Sequence, residues 1–242
     1  MLMMVCCTVT ANESAASTSG DISLECIAIE TTFANAELEQ LEAMEFSQLH
    51  WRVLRHFRLS AAYIQLEEKK RAREHLLAGL ELVNAHLKSN PEDVNILLLG
   101  AMLDGQILLL QPWRYFHNGR RGLKRVRDAK DVQPNHPRIV LIEATAKVVL
   151  PGILGGSAKE AAEELRGALE ADWFGQPFES LPLCHTGQWG QPDLLNWLGR
   201  AYAKLNQPEQ AQAAYEKVFE LFPNHHWTTL AVQGQGFEWS EE

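Results

Sequence analysis

One spacing recurs along the chain and constrains its fold more than any other feature: a small residue, a large one four places on, a small one at seven and a proline at twelve. Gly122, Val126, Ala129 and Pro134 fill it, as do Ala211, Tyr215, Val218 and Pro223, with valine in the second small place. Ala161, Leu165 and Ala168 repeat the first three places, with Trp173 where the proline would stand. Ala72, Leu76 and Gly79 repeat them again, ahead of a longer helix ending at Asn90-Pro91. Positions 0, 4 and 7 lie on one stripe of a 3.6-residue helix, and small residues on that stripe let a neighbouring helix come close. A partner helix precedes each copy. Leu195, Leu198, Gly199 and Tyr202 form an apolar seam, Ile96, Leu99, Gly100 and Leu103 repeat it, and His56, Leu59, Ser60 and Tyr63 are a weaker copy.

Composition permits such a fold and narrows the function. With 46% apolar residues among 242, the chain can bury a core, and 22 Lys and Arg against 31 Asp and Glu leave a formal charge of −9. That balance argues against a nucleic-acid binder, whose affinity rests on neutralising phosphates. Residues 1–11 read as a signal or leader segment: Met1 to Val9 is apolar, and Val9-Thr10-Ala11 offers the small residues of a cleavage site, although no Lys or Arg precedes the run. Export places the protein in a periplasm or outside the cell, with a cytoplasmic location as the alternative. Cleavage after Ala11 would leave Cys26 and Cys184, which either pair or persist as two thiols. Residues 12–32 are assigned to a flexible linker on the strength of the small, polar run NESAASTSG, and 33–242 to the helical domain. Val94 to Leu110 is strongly apolar, but at 17 residues with Asp104 and Gly105 inside it, it predicts a core helix rather than a membrane span.

The paired seams and stripes from Phe46 to Trp227 resemble the tetratricopeptide repeat family, most specifically in Pro192 to Pro223, whose length is close to the family's 34-residue period. The resemblance implies an all-α, tetratricopeptide-like α-solenoid of about four helix-turn-helix units plus a C-terminal capping helix, in which stacking buries the apolar face of each unit. It also implies a non-catalytic scaffold of bacterial envelope type that binds a protein or peptide partner in a concave groove lined by the first helix of each pair. Transferring the family register places Arg58, Asp104, Glu143 and Arg200 toward that groove, with Asn196 and Trp197 beside them and Trp189 nearby. The subclass that clamps terminal carboxylates is not expected, because the corresponding places hold Val94, Leu97, Leu98 and Ala101. The alternative is a ligand-binding accessory similar to the tetratricopeptide-like partners of TRAP-type solute transporters, with a small molecule beneath the 173–190 loop.

Three insertions depart from simple stacking: Gln111 to Gly119, Leu150 to Ser157, and Asp172 to Gln191, which is rich in aromatic residues. In the second, Pro151 stops a helix and Ser157 caps the next; it lacks the spacing and the Lys-Ser/Thr ending of a phosphate-binding loop. Cys184-His185 has no identifiable base, and His225-His226 shows no metal-ligand spacing, so no catalytic residue, cofactor or metal is assigned. Glu67-Glu68 and Glu163-Glu164 read as solvated helix faces. Seven cations fall between Arg114 and Lys130; Arg120, Lys124 and Arg127 share one stripe, either a solvated face or a dock for an acidic partner or lipid surface.

Overall fold

The computed structural model describes residues 24–111, 115–171 and 190–234. Within them it holds eleven α-helices and no strand. α1 (Leu24–Ala34) and α2 (Leu38–Ala43) precede four long pairs: α3 (Leu49–Gln65) with α4 (Lys69–Leu87), α5 (Val94–Leu110) with α6 (Arg120–Val132), α7 (Pro137–Val149) with α8 (Ala158–Glu170), and α9 (Gln191–Lys204) with α10 (Pro208–Leu221). α11 (His226–Val232) caps the stack. No helix among the described residues is long and apolar enough to cross a membrane, and α5 is a core helix.

The repeated stripes pack as their spacing requires. Ala72, Leu76 and Gly79, then Val126 and Ala129, then Ala161, Leu165 and Ala168, then Ala211, Tyr215 and Val218 are all buried. At Gly199 an added Cβ would stand 2.3 Å from the Tyr215 ring, which explains glycine at the tightest point of the α9–α10 contact. Helix starts follow local chemistry. Asp93, His136, Ser157 and His225 each accept a backbone N–H of the first turn, and Pro137, Pro192 and Pro208 sit where a missing N–H costs nothing. The 150–157 insertion is a tight 3-10 turn; at Gly156 a Cβ would lie 1.8 Å from the Leu150 carbonyl oxygen, so only glycine fits.

One turn recurs in the pairs. Glu67 and Asn206 adopt left-handed φ of 59° and 56°, and the next N–H, of Glu68 or Gln207, donates to the carbonyl of Tyr63 or Tyr202 at 2.9 and 3.0 Å. Ala36 (φ 56°) and the Glu37 N–H to Thr32 carbonyl bond (3.0 Å) repeat it between α1 and α2. The first two helices therefore form an abbreviated pair. The linker assignment for 12–32 is corrected from Leu24 onward: Cys26, Ile29 and Phe33 lie on one stripe and are buried in a core shared with α3, α4 and α5. Residues 172–189, which include most of the aromatic loop with Trp173, Cys184 and Trp189, lie outside the described residues, as does the leader. Cys26 is disulfide-bonded, and the other three cysteines lie outside the described residues.

Candidate functional site

The first helices of the pairs, α3, α5, α7 and α9, form the face on which the family register places a groove. Its centre is closed. Arg58 on α3 is 2% exposed and is gripped by two carboxylates, Glu30 of α1 (3% exposed) and Asp193 of α9 (20%). Nε and Nη2 donate to Glu30 at 3.0 and 2.7 Å, while Nη1 and Nη2 donate to Asp193 at 2.7 and 2.6 Å. Only a planar guanidinium can make both forks at once. The Phe33 and Phe57 rings lie 4.8 and 5.4 Å from its Cζ. Burial works against the Arg58 charge, but Asp193 and Glu30 outweigh it and hold its pKa above the ordinary value. Burial pushes Glu30 up, with Arg58 opposing.

Around this cluster the ends of the stack meet. Trp227 of α11 stacks on Phe33 of α1 with centroids 5.3 Å apart, and its Nε1 donates to the Phe33 carbonyl at 2.8 Å. Arg138 of α7 is also buried and donates to Asn95 Oδ1 at 2.7 Å; burial, with Glu30 opposing it and Arg58 adding to it, pulls its pKa to about 9. His50, next to that charge, is pulled to about 3 by burial and Arg138, and its Nε2 is buried without a hydrogen-bond partner.

The other groove positions scatter. Asp104 is fully buried and faces α6 rather than the groove, accepting from Asn118, Arg121 and Arg125. The α6 cations at 121 and 125 form a second stripe that neutralises it, leaving Arg120, Lys124 and Arg127 outside. Glu143 pairs with Lys130 of α6 at 2.6 Å on the surface. Asn196, Trp197 and Arg200 do come together on α9, all half-buried. Asn196 Oδ1 accepts from Thr228 of α11 at 3.5 Å, and the Arg200 Cζ lies 5.4 Å from the Trp197 ring centroid. Arg200 Nε is buried with no hydrogen-bond partner, and burial lowers its pKa. Trp189 is outside the described residues.

A second polar cluster joins α2, α3 and α4. Glu42 accepts from Tyr63 (2.8 Å) and Arg71 (2.9 Å) and meets His75 Nε2 at 3.0 Å, while His75 Nδ1 faces His56 Nδ1 at 3.1 Å. The chain resembles a proton relay, but no nucleophile stands at its end among these partners. Among the described residues no group of three His, Cys, Asp or Glu is arranged to hold a metal. Sequence reasoning missed Glu30, Arg138 and Asp193; the available signal is a lone charge within or beside an apolar run, as in CIAIETTF.

Residues 192–225, covering α9 and α10, match the tetratricopeptide repeat family. No curated protein matches the chain by sequence. Among solved structures, the HusA haemophore from Porphyromonas gingivalis is similar in fold, with a TM-score of 0.53 at 16% identity over 74% of this chain and 90% of that one. A tetratricopeptide repeat protein of Thermus thermophilus scores 0.48 at 14% identity over 87% and 96%. The last pair thus carries the tetratricopeptide repeat sequence, and the paired helices stacked before it make the described residues an all-α helical-repeat fold.

Proposed function

We propose that the chain is a non-catalytic helical-repeat scaffold that engages a protein or peptide partner through α9, and that it works in an oxidising compartment, the periplasm or cell exterior. The observation that carries the reading is the Trp197–Arg200 pair: a guanidinium held over an indole, half-buried, with Nε unpartnered. Trp and Arg are the residue types that dominate binding energy at interfaces, and a pre-stacked arginine loses little freedom on binding. The partner is then a segment presenting a carboxylate or carbonyl oxygen to Arg200 and an apolar side chain to Trp197, with Asn196 flanking. Arg58, Asp104 and Glu143 leave this surface, because each is already spent on a carboxylate or a cation of the same chain. The disulfide at Cys26 supports the compartment.

The test places a photo-crosslinking residue at 203, exposed on α9 three residues after Arg200, and, as a control, at the exposed position 124 of α6, with partners taken from an envelope extract and identified by mass spectrometry. Crosslinks from 203, lost in Arg200→Ala at unchanged melting temperature, are expected; crosslinks from 124 alone would refute the reading. A second reading, a small-molecule carrier, draws support from the likeness in fold to a protein titled a haemophore. Haem is its probe. An absorbance change saturating at one equivalent would move the function there.

A further inference from the structure

A cleft of about 470 Å³, lined by no residue of α9, opens between α4, the end of α5 and the start of α6. Its size is that of small-molecule sites. Leu77, Leu80 and Ile107 make an apolar floor, and Leu77 is an exposed large hydrophobic residue there. Lys88, Arg121 and Glu81 stand on the rim. Lys88 has no ion pair among the described residues, and Arg121 commits Nε and Nη2 to Asp104, leaving Nη1. Two cations therefore face one carboxylate.

A second, independent observation is Asn118. It comes from a five-residue π turn, Tyr115–Gly119, a geometry that recurs at functional sites. It lines the cleft and is 2% exposed; its Nδ2 donates to Asp104 Oδ1 at 3.1 Å, and its Oδ1 is buried with no partner. The orientation is fixed by chemistry, since the flipped amide would turn an oxygen toward a carboxylate. A buried acceptor left unpaired is costly, and a ligand donor is one way to satisfy it.

The cleft thus asks for three things in one molecule: an apolar body, an N–H donor, and an anion beside it. A simple fatty acid lacks the donor. We propose that this cleft binds an N-acylated amino acid, with the acyl chain over Leu77, Leu80 and Ile107, the amide N–H toward Asn118 Oδ1, and the carboxylate between Lys88 Nζ and Arg121 Nη1. A polypeptide end with an apolar last residue carries the same N–H and carboxylate, so the experiment separates the two sources.

Full-length protein is titrated by calorimetry, below the micellar range, with N-lauroylglycine and with N-lauroylsarcosine, which differs by one methyl on the amide nitrogen. One equivalent of N-lauroylglycine is expected to bind, with the sarcosine compound weaker by about tenfold, the weight of one hydrogen bond to a buried group. Lys88→Ala should weaken binding by about ten- to hundredfold and Leu77→Asp should abolish it. Both residues are exposed, so melting temperature should hold in each variant. Equal binding of the two compounds, no binding of N-lauroylglycine, or unchanged binding in the two variants would overturn the proposal. Tighter binding of an acetylated peptide ending in leucine would assign the cleft to polypeptide ends and overturn the acyl-amino-acid source.

Discussion

Replacing Arg58 by alanine tests the closure of the stack. The side chain makes four donations to two carboxylates that come from residues 28 places before it and 135 after it. Its removal leaves Glu30, 3% exposed, and Asp193, 20% exposed, facing each other with no cation between them. Breaking a buried ion pair from one side costs about 3 to 5 kcal/mol, because the abandoned charge stays buried. Asp193 keeps some contact with water, which moves the expectation to the lower half, about 3 kcal/mol, read as a shift of the urea midpoint. The location of the damage is more diagnostic than its size. In an open solenoid each unit feels only its neighbours, so the loss would stay near α3. Here α9 and α11 touch the same cluster, through Asp193 and through Trp227 on Phe33. Native-state hydrogen exchange should therefore show α9 and α11 losing protection together with α1 and α3. Loss confined to α1 to α4, with α9 and α11 unchanged, would refute the closure argument.

Acid should destabilise the fold through its histidine caps: Nδ1 of His136 accepts from Arg138 N–H and that of His225 from Thr228 N–H, which requires neutral rings. Burial lowers their pKa to about 3 and about 4, so the unfolded chain takes up these protons first and stability is lost as pH falls below about 6.5, by about 2 kcal/mol per histidine at pH 5. Urea midpoints at pH 7 and pH 5 measure it, and the double variant His136→Asn/His225→Asn, which keeps a cap that does not titrate, should reduce the difference by about 4 kcal/mol, leaving the part that the buried His50 and His56 contribute. Gly199→Ala should cost about 1 to 3 kcal/mol in thermal melts, since its Cβ would meet a Tyr215 ring that is itself buried. Cys26→Ser should lower stability by about 2 to 4 kcal/mol and add one alkylatable thiol in intact-mass measurement of the unfolded chain without reductant.

The stripes on α4, α6, α8 and α10 are legible in the sequence because they are local: positions 0, 4 and 7 share a helix face wherever the helix goes, and stacking buries that face in every unit. The Ser157 cap is legible for the same reason. α1 hides behind the small, polar stretch that precedes it, since a stripe of Cys26, Ile29 and Phe33 in a short helix carries little signal until the surface that covers it is known.

The inner face is where transferred register fails. A register says which way a side chain starts out, and Arg58 ends buried between the carboxylates of Glu30 and Asp193. It does not say how far the stack curves. Curvature accumulates from small rotations at each junction, set by packing between pairs, and no junction announces it. Once it brings α9 back to α3, an inward arginine is no longer a groove residue offered to a partner but the bond that shuts the groove. Asp104 fails differently. It heads into the α5–α6 contact, and the cations at 121 and 125 that receive it belong to a run whose more conspicuous members, Arg120, Lys124 and Arg127, face outward. A charge in an apolar helix thus has two outcomes in a repeat protein, display or neutralisation by the next helix. The deciding datum is whether an opposite charge stands at the matching place one helix on. For Asp104 that datum is in the sequence; for Arg58 it lies 135 residues away, at Asp193, and only the closed stack brings it near.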